Sequence, residues 1–191
     1  MGNRRMGAQR MNALLKRGST GTDSAYQAGA GISGAIKSHK IIRDGVFVIT
    51  EIILDLGTTV TDIRSGTNDR TIGTQGSAAS AHLMLWEDDV HGVLQSTETY
   101  IMEALTTITA CSLKQGNAEA AVNVAPAGAV DLNHDFACGA KRVGAAVVAP
   151  ATSPDGKYIF LCNTDGNAVT IAAGQLVIRF IGMLATDISV D

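Results

Sequence analysis

Apolar and polar positions alternate most clearly in two stretches of the chain. In VFVITEIILDLG, which begins at Val46, the alternation sets Phe47, Ile49 and Ile53 on one side of a β-branched segment long enough for a central strand. In QLVIRFIGM, Leu176, Ile178, Phe180 and Gly182 face one way, and Gln175, Val177, Arg179 and Ile181 the other. GKYIFLCNT and AVTIAAG add short strands separated by the Asp165-Gly166-Asn167 turn, and SPDGKY is a turn with Pro154 and Gly156 at suitable positions. VHGVLQSTETYIMEALTTITACSLK predicts two further extended runs, while AHLMLWE fits either a strand or a single helical turn. The polar TTVTDIRSGTNDRTIGTQGSAAS reads as a long loop or a pair of short edge strands.

The pattern is different at the N-terminus. RRMGAQRMNALLKRG has the composition of a short helix, with Met6, Leu14 and Leu15 among basic groups and Gly18 where a helix would stop. GSTGTDSAYQAGAGISG, Gly18 to Gly34, shows neither helical nor alternating periodicity and reads as an extended linker. Residues 1–34 are therefore expected to be a basic arm and Gly-rich linker, and residues 35–191 a β domain. The expected class is all-β: an antiparallel β-sandwich or jelly roll with an extended, partly helical N-terminal arm.

Charge sharpens this division. Arg4, Arg5, Arg10, Lys16 and Arg17 stand in the first 22 positions without an acid; the remaining chain holds 10 basic and 18 acidic residues, so it carries −8 against an overall −3. The arm lacks aromatic residues to stack on bases, and an acidic body repels a polyanion, so nucleic acid is not the expected partner. Docking on acidic protein surface fits better, with Arg4, Arg5, Arg10, Lys16 and Arg17 making polar contacts and Leu14 and Leu15 apolar ones. Gly29, Gly31 and Gly34 would form the hinge of this arm, glycine allowing both unusual dihedrals and close backbone approach. No apolar run approaches the ~20 residues of a membrane-spanning helix, and the basic N-terminus lacks the apolar centre of a signal peptide.

The candidate chemical motifs weigh against an enzyme. GAGISG, Gly29 to Gly34, matches a dinucleotide fingerprint in letters, but TDSAYQA before it is no buried strand, so the match lacks its physical basis. WEDDVHG gathers Glu87, Asp88, Asp89 and His91, potential ligands for a divalent ion, although such a run commonly forms a solvated corner. DLNHDFACG places Asp131, Asn133 and Asp135 at calcium-loop spacing, but Phe136 and Arg142 occupy the positions of its glycine and glutamate. His39, His82, His91 and His134 are scattered, and Cys111, Cys138 and Cys162 are widely spaced, without a C-x-x-C pair. Neither a metal, a cofactor nor a catalytic residue is expected.

The opening MGNRRMGAQRMNALLKRG, the GTDSAYQAGAGISGAI that follows, SHKIIRDGVFVITEIILDLGT and the closing GKYIFLCNTDGNAVTIAAGQLVIRFIGM together resemble virion structural proteins of tailed bacteriophages. The resemblance implies a non-enzymatic β-sandwich that joins the particle as a capsid decoration (cement) protein, in homotrimers, after synthesis in the host cytoplasm. Its partners would be the major capsid protein or neighbouring virion subunits, with no membrane involved. An alternative is a tail, neck or fibre component with a glycan-binding face, for which Trp86, Tyr100 and Tyr158 are candidate sugar platforms. A third is a small ion-dependent enzyme.

Overall fold

The computed structural model describes residues 28–57, 63–65, 69–74, 78–132, 135–148, 152–165 and 169–184. In chain order the strands are β1 (Ile36–Asp44), β2 (Phe47–Asp55), β3 (Ile63–Ser65), β4 (Arg70–Thr71), β5 (Gly73–Thr74), β6 (His82–Trp86), β7 (Val93–Glu103), β8 (Ala110–Gly116), β9 (Val130–Asp131), β10 (Phe136–Ala137), β11 (Arg142–Val148), β12 (Lys157–Asn163), β13 (Val169–Ile171) and β14 (Gln175–Met183). Helical structure among the described residues is limited to one turn, α1 (Asp88–His91), and a 3-10 turn at Ser33–Ala35. One sheet has the order β1-β2-β14-β7-β11. A second runs β10-β8-β12-β4, with β6 also on β12 and β9 on β8, and a small third is β13-β3-β5. The strands of all three sheets pair antiparallel, so the fold is all-β.

Local sequence accounts for the frame. β1 and β2 form a hairpin in which Asp44 faces Phe47, and Gly45 has φ 64° at the first of the two loop positions, where this turn calls for glycine. β14 follows its alternation: Leu176, Ile178, Phe180 and Gly182 are buried, while Gln175, Val177, Arg179 and Ile181 look outward. In β2 the side carrying Phe47, Ile49 and Ile53 is the outer one; Val48, Thr50, Ile52 and Leu54 are buried. AHLMLWE resolves as β6, and the polar stretch before it contributes the short strands β3, β4 and β5. In SPDGKY the Lys157 N–H donates to the Pro154 carbonyl at 2.9 Å, closing the predicted turn.

One buried cluster draws on both larger sheets. It includes Ile52, Leu54, Leu176, Ile178 and Phe180 from the first and Leu83, Trp86, Leu113, Ile159 and Leu161 from the second. Each such side chain stabilises the fold by about 1.5–3 kcal/mol relative to an exposed one. Ile32 and Ala35, on either side of the expected 34/35 boundary, both belong to this cluster.

Candidate functional site

The small residues Ala78, Ala79, Ser80 and Ala81 lead into β6, and the chain from Ala28 to Ile32 lies alongside them. The Gly29 N–H donates to the His82 carbonyl and the Gly31 N–H to the Ser80 carbonyl, both at 2.8 Å, while the Gly31 carbonyl accepts from Thr74 N–H at 2.7 Å. A β-carbon at Gly29 would overlap the Ser80 carbonyl, and one at Gly31 would come within 2.7 Å of the Ala79 oxygen. Gly29 and Gly31, read from the sequence as hinge positions, are thus held by backbone hydrogen bonds, and close approach accounts for their lack of a side chain. At Gly34 a β-carbon would meet open space.

Beside this contact lies a cleft of about 490 Å³, walled by Ala28, Gly29, Ala30, Ala78 and Ala79 and edged by Ser80, His82, Leu85, Glu119 and Tyr158. The pairing of β12 with β6 places Tyr158 opposite Leu85 and Phe160 opposite His82. The His82 ring meets Tyr158 edge-on, with centroids 4.9 Å apart, and its Nδ1 lies 2.6 Å from Ser80 Oγ. A hydroxyl, an imidazole, a phenol and a carboxylate therefore converge on walls of alanine and glycine. Such a surface can hydrogen-bond an extended polar ligand while its small walls admit close contact.

The acidic corner is pulled apart by its own contacts. Asp88 Oδ1 accepts from Trp86 Nε1 at 2.8 Å and from Ser153 Oγ at 2.6 Å, and the Asp88 N–H donates to Asp155 Oδ1 at 3.0 Å. These bonds pin α1 to the turn before β12. His91 turns inward instead: it is fully buried, with Nδ1 3.0 Å from Thr50 Oγ1, its ring 4.9 Å from that of Trp86, and no hydrogen-bond partner at Nε2. Burial, followed by the charges of His39 and Arg43, lowers its pKa from 6.5 to about 4. Among the described residues no group of three His, Cys, Asp or Glu side chains is placed to hold a metal ion.

Asp131 of DLNHDFACG pairs with Lys114 at 2.6 Å, and Asp69 meets the same ammonium at 2.9 Å; Asn133 and His134 lie outside the described residues. Burial alone would lower the Lys114 pKa, but the hydrogen bonds its ammonium donates to Asp131 and Asp69 leave it above the ordinary value. The pairing of β10 with β8 brings Cys111 and Cys138 to 3.4 Å as free, buried thiols, a proximity their spacing does not announce. The Cys111 pKa is raised by its hydrogen bond to Cys138 and by burial, and burial pushes Cys162 up to about 12. The three aromatic candidates are dispersed: Trp86 is fully buried, Tyr100 lies beneath the Arg179 guanidinium at 5.3 Å, and Tyr158 edges the cleft. Trp86 is therefore no sugar platform. Arg4, Arg5, Arg10, Leu14, Leu15, Lys16 and Arg17 lie outside the described residues.

No protein family, curated protein or solved structure matches the chain.

From the sequence His82 is only one of four scattered histidines and Tyr158 a candidate sugar platform; their meeting with Ser80 and Glu119 is not legible there. Ser80-Ala81-His82 does carry the signal of a shared strand face, since residues two apart point the same way. Glu119 carries no such local signal, because it is the bridge between Ser80 and Ala121, distant in sequence, that brings its segment to the cleft. No helix among the described residues is long and apolar enough to cross a membrane.

Proposed function

We propose that this chain is a non-enzymatic virion structural protein of a tailed phage, one that binds and stabilises the capsid lattice as a decoration protein. The observation that carries this reading is the strand order. With β2, β6, β7, β8, β10, β11, β12 and β14 counted as one to eight, the first sheet contains the order one-eight-three-six and the second two-seven-four-five. The chain passes from β6 to β7 to β8, and from β10 to β11 to β12 to β14, by changing between these sheets, apart from the short β13. We read this as an eight-stranded jelly roll, a two-sheet sandwich used by viral capsid and lectin domains. β1 extends the first sheet at its edge.

The charge division supports docking by the arm. Arg4, Arg5, Arg10, Lys16 and Arg17 contact acidic surface on the capsid protein or a neighbouring subunit, and Leu14 and Leu15 add apolar contact. Each contact is weak alone; many copies on one lattice strengthen one another through effective concentration. The test is to co-express the capsid protein with the full chain or with a chain lacking residues 1–22, and to measure the particle-bound fraction by sedimentation. The truncated chain is expected to keep its circular dichroism and lose incorporation. Normal loading without residues 1–22 would overturn the docking role.

A further inference from the structure

An antiparallel sheet with one face on the core ordinarily turns polar residues outward. The first sheet departs from this rule, and its departures fall into rows set by strand register. Phe47, Met183 and Val93 are cross-strand neighbours and are 48%, 40% and 37% exposed. The next outward row holds Ile42, Ile49 and Ile181, with Ser96 on β7. Beyond a charged row come Ile53, Val177 and Tyr100, with Ser38 on β1. The charged row itself reads Lys40, Glu51, Arg179, Glu98 across β1, β2, β14 and β7, so its signs alternate. Within the chain Arg179 Nε already meets Glu51 Oε2 at 2.7 Å, and the Tyr100 hydroxyl donates to Glu98 at 2.9 Å, which orders this row.

We propose that a second copy of this chain covers this face, related by a two-fold axis running along the strands between β2 and β14. Such an axis reverses the order of strands while keeping each row at its own height. Lys40 then faces Glu98 of the other copy and Glu51 faces its Arg179, so all four positions meet opposite charge. In the central strands apolar residues fall on apolar ones, Phe47 on Met183, Ile49 on Ile181 and Ile53 on Val177, while Asp44, Ser96 and Ser38 face Val93, Ile42 and Tyr100 at the margins. An axis across the strands through this row would instead set each charge on itself, which electrostatics disfavours. The contact is therefore self-complementary, the condition for an isologous pair. Four strands about 4.8 Å apart and four rows about 6.8 Å apart give a patch of roughly 500 Å² per copy, or roughly 1,000 Å² in total, about what a specific interface requires. This inference stands apart from the virion reading.

The full chain should sediment as a dimer at equilibrium. Glu51→Arg alone and Arg179→Glu alone each place like charges opposite one another and should raise the dissociation constant on the order of 100-fold. Mixed in equal amounts, these two variants again present opposite charges at all four positions and should recover the dimer. Ile181→Lys leaves the Glu51–Arg179 pair intact and should also dissociate it, which provides a second route should a charge variant fold poorly; thermal melting checks folding in each case. A monomeric or trimeric unmodified chain, folded single variants that assemble normally, or a mixture that stays monomeric would overturn the proposal.

Discussion

At His91 a proton would have to enter a site that offers its charge no compensation. The imidazole is buried against Trp86, its Nδ1 is engaged by Thr50, and His39 and Arg43 add positive potential. The folded state therefore keeps the ring neutral down to about pH 4, while the unfolded chain takes up the proton near pH 6.5. Between those limits the unfolded state binds more protons, so stability is complete above pH 6.5 and is lost as pH falls towards 4. From pH 7 to pH 5 the loss from this residue should be about 2 kcal/mol. Urea denaturation of the chain and of His91→Gln across that range checks it: the variant should show a correspondingly flatter dependence. An equal slope in both would assign the pH response to other groups.

The strand elements whose periodicity is strongest were the most legible. β14 places every residue on the side its alternation predicts. β2 carries apolar residues on both faces, so periodicity grouped Phe47, Ile49 and Ile53 together without identifying their side as the outer one. The Gly-rich segment shows the opposite limit. Gly29 and Gly31 stand among Ala28, Ala30 and Ile32 in the sequence, and only their contact with Ala79 and Ser80, far along the chain, explains them. A β-carbon at Gly29 has to displace backbone, so Gly29→Ala should cost roughly 1–3 kcal/mol. At Gly34 φ is not positive and the space is open, so Gly34→Ala should be neutral or stabilise by about 0.4–1 kcal/mol. Thermal melts of both variants separate close packing from a hinge role, which would make Gly34 at least as sensitive as Gly29.

At the scale of the whole molecule, legibility ends where pairing becomes long-range. The sequence indicates short antiparallel strands, but no local pattern shows that β14 lies between β2 and β7, or that β12 lies between β8 and β6. The same distance hides the cleft, whose Ser80, Glu119 and Tyr158 come from separate parts of the chain. The register of β14 runs from Gln175 opposite Asp55 to Met183 opposite Phe47, so the first sheet closes only when the end of the described chain returns to its beginning. That closure makes β14 decisive for stability. Leu176, Ile178 and Phe180 are fully buried, and removing them forfeits roughly 5–9 kcal/mol of burial, comparable to the ~5–15 kcal/mol that holds a domain folded. Its backbone also satisfies hydrogen-bonding groups on both β2 and β7, which would be left open in the sheet interior. A chain ending at Gly174 should therefore show no cooperative thermal transition by circular dichroism, although it keeps every residue of β1 to β13. Because the intact chain must close long loops before these contacts form, it should refold in milliseconds to seconds, as measured by stopped-flow fluorescence of buried Trp86. A truncated chain that melts cooperatively would mean that β2 and β7 can pair without the strand between them.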